Sequence, residues 1–338
     1  MTTQERALSP QFAKQVRWGG RPLVSTVAQL DTVGDRLPVF DRIPMGIGLE
    51  ENPYKDLIVQ QKPNGHPGVP VVAVEKSYRL VQHRDTWEAM REAVRELGLP
   101  QDIPASLAMA EFGERMCLTI EIPGHTVDPG DGAELTLRIS AMNSVDMSTS
   151  IGLSVEWFRW ICANGMAFGL TQAGFRRAHT GDVSAARIIQ SVRDALHAIP
   201  DEAGYLKSLL RQPLPGPGKV SHWLNRVVSK KWDRGFAIRA HHILASGQDG
   251  EVIRTRTAKD AWIALPGDDV LTMDDDAKMP VEEQPFLELD PVPGAHAPVQ
   301  NLYHAAQALS WLAGTATSVQ TRIRRLNDIP GLIDALRN

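Results

Sequence analysis

The chain has only two cysteines in 338 residues, Cys117 and Cys162, far apart and in no Cys-x-x-Cys pair. That scarcity excludes a disulfide scaffold and a thiolate zinc site, and it is the usage of a reduced, cytoplasmic protein. No stretch approaches the roughly 20 unbroken apolar residues of a membrane span, so no membrane partner is expected. Met1 to Gln11 is polar and lacks the apolar segment of a secretory signal. The motifs that would announce an enzyme are missing too. There is no GxxxxGK[ST] phosphate loop, no GxSxG elbow, no HExxH and no GxGxxG ahead of a helix. The adjacent His241-His242 diverge on a helix or a strand, and no acid or His partner stands at ligand spacing. Asp274-Asp275-Asp276 reads as a solvated acidic loop. No metal, cofactor or catalytic residue is therefore assigned.

What is present is an ordinary globular composition, 43% hydrophobic and 22% charged, long enough to bury a large core. The net charge of −4 conceals an asymmetry. Residues 159–259 carry sixteen Lys and Arg against seven Asp and Glu, a net +9; residues 260–290 carry one Lys against ten acids, a net −9.

Residues 1–69, punctuated by Gly and Pro, read as an extended N-terminal arm. A core spans 70–265. Pro70–Val74 and Tyr78–Gln82 are short strand candidates, paired across Glu75-Lys76. Asp85 and Glu88 stand at capping-box spacing before a helix bearing Trp87, Met90, Val94 and Leu97, stopped by Gly98 and Pro100. In Arg115–Ile122 and Glu134–Met142 apolar and polar residues alternate strictly, which predicts antiparallel strands with one buried and one wetter face. Asp128 to Gly132 supplies the turn between them, and Asn164-Gly165 suits a tight hairpin. A helix is expected from Asp182 through Ile199. Strands first and helices later give an α+β fold: an antiparallel sheet within about 70–170 packed against helices. A stiff Pro-rich spacer, Gln212–Gly218, follows. Residues 266–298 read as an acidic, Pro-rich linker or loop. Residues 299–338 read as C-terminal helices over Val299–Ala313, Ser318–Leu326 and Ile329–Leu336, the last capped by Asp328 with Pro330 in its first turn.

The basic half carries the candidate chemistry. After the spacer, Val220, Trp223, Leu224, Val227 and Val228 form an apolar helical stripe. Opposite it stand His222, Arg226 and Lys230, with Lys231, Trp232 and Arg234 just beyond. A helix with one face on a core and one cationic face suits contact with phosphates, or equally a solvated surface. Arg176-Arg177, Arg239 and the Arg254, Arg256, Lys259 trio add charge. Arg159 falls on the apolar side of the strand holding Ile151, Leu153, Val155 and Trp157. It is either buried and paired, or turned outward beside Trp160 by a bulge at Trp157-Phe158.

Three blocks carry a resemblance: Ser77-Tyr78-Arg79-Leu80-Val81 with its helix, Asn143-Ser144-Val145-Asp146-Met147-Ser148, and Phe158-Arg159-Trp160-Ile161-Cys162-Ala163-Asn164-Gly165-Met166. The chain resembles the phage/plasmid-like protein family, domain of unknown function 932, over most of residues 70–325, including the late helix Asn301–Trp311. Where the family pattern has Gly after Asp146, this chain has Met147, so its turn is expected to differ. The layout is similar to that of phage single-strand-annealing recombinases. That resemblance implies single-stranded DNA binding in a basic groove, a homo-oligomer, a role in recombination and no catalytic residue. The expected contacts are Arg159, Arg176, Arg177, His222, Arg226, Lys230, Lys231 and Arg234 with phosphate, and Trp160 and Trp232 by stacking. The alternative is a phage or plasmid structural module whose basic half meets an acidic protein.

Overall fold

The computed structural model describes residues 17–18, 21–62, 68–132, 134–149, 151–159, 166–168, 174–177, 185–252, 286–292, 294–316 and 319–338. Its centre is an antiparallel sheet of β3 (Val24–Gln29), β7 (Pro104–Met109), β8 (Arg115–Val127), β9 (Leu135–Ser144) and β10 (Ile151–Arg159). Along the far edge of β10 lie β11 (Met166–Phe168) and β12 (Gly174–Arg177). The short pair β1 (Arg17–Trp18) and β2 (Arg21–Pro22) precedes it. A smaller sheet joins β4 (Phe40–Ile47), β5 (Glu50–Gln60) and β6 (Val69–Glu75) in that order. The architecture is α+β, with a helical C-terminal segment.

The period-two pattern does what it implies on one face. Met116, Leu118, Ile120 and Ile122 of β8, Leu135, Leu137, Ile139 and Ala141 of β9, and Leu153, Val155 and Trp157 of β10 are all buried in one core, and Ile151 is buried as well. Against them packs α1 (His83–Glu96), contributing Trp87, Met90, Ala93 and Val94. The Trp87 indole donates to Leu30 O at 2.6 Å, and its ring fills the space a side chain at Gly34 would need. The core continues through α2 (Ala185–Arg211), α3 (Pro217–Trp223, prolonged by a π-helical turn over Leu224–Val228 and a last turn over Ser229–Lys231), α4 (Arg234–Ser246), α5 (Leu302–Gly314) and α6 (Val319–Arg337).

The other face corrects the expectation of a wet surface. Ser140, Ser154 and Glu156 are buried there, and Ile323 of α6 packs on a patch formed by Leu23, Ala110 and Met142. Polar side chains on this face pair with one another. Arg138 holds Glu156 at 2.6 Å, and Thr119 and Ser140 hydroxyls are 3.0 Å apart. Desolvation, reinforced by Arg138 and opposed by Glu156, brings the Arg322 guanidinium of α6 down to about 10; burial likewise pushes the Cys117 thiol up. Buried charge is tolerable here because cation and carboxylate are hydrogen-bonded.

Several boundaries move. Residues 24–60 are built into the two sheets and are not an extended arm: β3 pairs with β7, β4 with β5, and Leu30 and Val33, on the 3-10 turn between β3 and β4, are fully buried. Tyr78–Gln82 is no strand, since the partner of β6 is β5. The capping box of α1 is Gln82 with Asp85, three residues earlier than expected. Gln212–Gly216 is non-helical but pinned, with Leu214 N on Gln300 O at 2.8 Å and Leu302 N on Gln212 O at 3.0 Å. Of the supposed linker, β14 (Phe286–Pro291) pairs with β13 (Gln248–Val252), whereas residues 266–285 lie outside the described residues. Helix α6 runs unbroken through Pro330, so Asp328 caps nothing. Asp182, Asn164-Gly165 and the Arg254, Arg256, Lys259 trio also lie outside the described residues. Among the described residues no helix is long and apolar enough to cross a membrane.

Candidate nucleic-acid interface

Helix α3 is held by its apolar face. Val220, Trp223, Leu224 and Val228 are buried, Val227 half-buried, and the Trp223 indole donates to Leu332 O on α6 at 2.8 Å. The anchored stretch includes the π-helical turn over Leu224–Val228, where Leu224 and Val228 are buried, an irregularity that is common at functional sites. On the opposite side Lys219, His222, Arg226 and Lys230 are exposed. Lys219, which sequence spacing alone did not single out, also donates to Arg337 O at 3.2 Å. At 1.5 Å per residue the row from 219 to 230 is about 16 Å long.

The residues just beyond are spoken for. Lys231 pairs with Asp328 at 3.1 Å. Trp232 is buried; its indole donates to the same Asp328 at 3.1 Å, and its ring meets Phe236 edge to face at 6.2 Å. It has no free face for a base. Arg234 is half-buried and donates to Asn225. Asp233 caps α4 through Phe236 N at 2.9 Å and meets Arg325, whose guanidinium lies 3.4 Å from the Phe236 ring centre. Arg239 is neutralised by Asp249, which also accepts from the Trp311 indole at 2.8 Å.

The strand candidates are placed by backbone alone. The β9–β10 ladder runs from Gly152 to Phe158 without a register shift, and Arg159 pairs with Met166, so the bulge alternative at Trp157-Phe158 does not hold. Arg176 and Arg177 face Gly152 and Ile151, at the opposite end of β10 from Arg159, roughly 25 Å away at about 3.3 Å per residue. Trp160 lies outside the described residues. His241 is buried, His242 half-buried, and their rings stand perpendicular. Among the described residues no group of three His, Cys, Asp or Glu could hold a metal.

The first two resemblance blocks meet in space. Asn143 Nδ2 donates to Val81 O at 3.0 Å and lies 3.0 Å from His83 Nδ1, while His83 Nε2 is 2.6 Å from Gly113 O. Those partners fix the Nε2–H tautomer. Tyr78 Oη donates to Val145 O at 3.4 Å, and burial, then the Asp146 carboxylate, pushes its pKa up. Arg115 grips Asp146 at 2.6 Å. His83 and Asn143 are fully buried, so this knot is a structural joint that no ligand reaches. It presents Met147 to solvent with φ 58°, the left-handed conformation that glycine adopts without strain. The turn therefore keeps a glycine-type backbone in spite of Met147.

An α+β protein with one cationic helix face is what the geometry defines. Residues 70–212 match the family described as Domain of unknown function (DUF932). The match takes in β6 through α2 and ends before α3, short of the 70–325 span of the resemblance. No curated protein and no solved structure matches the chain.

Proposed function

We propose that this chain is a non-catalytic nucleic-acid-binding protein of a mobile element that holds single strands, without base specificity, along the outward face of α3. The observation that carries the reading is the exposed row Lys219, His222, Arg226 and Lys230 on a helix whose other face is anchored in the core. A rigid row about 16 Å long suits a few consecutive phosphates, and the lack of an adjoining free aromatic among the described residues favours backbone contact over base stacking. Lys231 and Arg234, engaged by Asp328 and Asn225, are secondary, and Trp232 drops out.

The test is a titration of labelled oligothymidylate followed by fluorescence anisotropy. Binding is expected at micromolar affinity or better at low salt. The logarithm of the binding constant should fall against that of salt with a slope near −2, three cations at about 0.7 each on a single strand. Arg226→Glu/Lys230→Glu should weaken binding at least about tenfold, and Lys231→Glu much less. Absence of salt-sensitive binding overturns the reading and leaves the face to an acidic protein partner.

A further inference from the structure

The hairpin β4–β5 is built against the habits of a solvent-exposed ribbon. Strand β6 pairs with β5 only over Lys55–Gln60, so among the described residues Pro44–Tyr54 stands as two strands with no third beside them. Along it Ile43 is 41%, Ile47 92%, Leu49 103% and Tyr54 73% exposed. Ile47 faces Glu50 across the two-residue turn Gly48-Leu49, with Gly48 at φ 61°. That turn demands glycine at its first position and accepts Asn, Ser or Thr at its second. A leucine there is fully exposed and packs on none of the described residues. With Met45 these side chains expose on the order of 500 Å² of largely apolar surface, near the upper end for a monomer's largest patch. A stable interface buries about 800 Å² a side, so this patch is most of one.

Charge selects the occupant. Between Arg42 and Lys55 the only ionisable side chains are Glu50, Glu51 and Tyr54. Two carboxylates with no cation repel polyphosphate and anionic lipid, so neither a wedge between bases nor a membrane surface suits this tip. They suit a cationic protein surface, and the chain itself carries one, the outward face of α3. Strand addition is hindered on both free edges: Pro44 offers no N–H on β4, where the ladder breaks between Pro44 and Gly46, and Pro53 interrupts the free stretch of β5. The contact must be made by side chains.

We infer that the β4–β5 hairpin is this chain's self-association arm, its apolar tip covered by a second copy whose cationic surface receives Glu50 and Glu51. Arm and receiving surface are different patches, so the contact is heterologous and each copy can bind a further one.

Sedimentation velocity on the full chain without nucleic acid, up to about 100 µM, is the test. The expected result is a mass that rises with concentration and falls with salt. Ile47→Asp/Leu49→Asp should weaken association at least about tenfold with an unchanged melting temperature, since both side chains point into solvent. Glu50→Lys/Glu51→Lys should weaken it less and reverse the salt dependence. A wild-type chain that stays monomeric, or an Ile47→Asp/Leu49→Asp variant that associates like wild type, overturns the inference. So does flotation of the protein with phosphatidylcholine vesicles that those two substitutions abolish. Because no oligonucleotide is present, these outcomes are independent of the binding titration.

Discussion

The two sheets use the same strand chemistry to opposite ends. The large sheet is covered on both faces: α1, α2 and α5 lie over its apolar side, and α6 lies over a polar side whose charges neutralise one another. The small sheet buries Phe40, Ile58, Val59, Val74 and Asp56 near its root, with Val145 from just after β9, and leaves its far end in water. One is a platform and the other a limb. The difference places rigidity at the DUF932-matching strands and exposure at residues 43–54, which lie ahead of the matched segment.

The largest break in that comparison comes from removing the buried carboxylate of the platform. Glu156→Ala leaves the Arg138 and Arg322 guanidinium groups together without it, and should cost about 3–5 kcal/mol, read as a drop in the denaturation midpoint. A truncation on the exposed tip should cost nothing measurable. If Glu156→Ala is as mild as a surface change, the polar face is solvated and the platform has only one covered side.

That polar face marks where sequence reading stops. Alternation in Arg115–Ile122 and Glu134–Met142 identified the strands and their inward residues, because period two is a local property. Arg115 and Ser140 looked wet because Asp146, which pairs with Arg115, and α6, which covers that face, lie far along the chain, and spacing does not encode such meetings. The same limit hid residues 24–60. Strand β3 finds its partner some eighty residues on, and Pro44 and Pro53 spoil any clean alternation in the hairpin. On α3 the cationic row was legible, since 222, 226 and 230 share a helix face whatever surrounds them. The burial of Trp232 was not, since Asp328 and Arg325 reach it from α6. Pro330 was read as a helix start, yet α6 carries it inside.

A smaller effect, of opposite sign, lies at the joint between the sheets. Val145 belongs to the small core, and Met147 follows it at φ 58°. A non-glycine residue in that conformation costs roughly 1–2 kcal/mol, while glycine gives back about 0.5–1 kcal/mol in the entropy of the unfolded chain. Met147→Gly should therefore stabilise the protein by at most about 1 kcal/mol, seen as a small rise in melting temperature. A loss of stability would show that the Met147 side chain contributes packing that outweighs its backbone strain.

The smallest and most local effect is expected from acid at the root of the limb. Arg42 donates to Asp56 at 2.6 Å and also to Tyr78 O and Lys76 O, and Lys76 lies 3.5 Å from the same carboxylate. Desolvation alone would raise the Asp56 pKa, but the Arg42 hydrogen bond and the Lys76 charge outweigh it and hold the carboxyl below its ordinary 3.8. A folded value below the unfolded one means the pairing stabilises the fold fully above the unfolded pKa and is lost as pH falls through the folded pKa. Hydrogen exchange, corrected for intrinsic rate, should show the hairpin amides losing protection relative to β8 and β9 between about pH 6 and about pH 3. Asp56→Asn should lower hairpin protection at the higher pH and remove the further fall on acidification. If the hairpin and the large sheet lose protection together in both proteins, the limb is not a separate unit and the contrast between the two sheets is one of exposure alone.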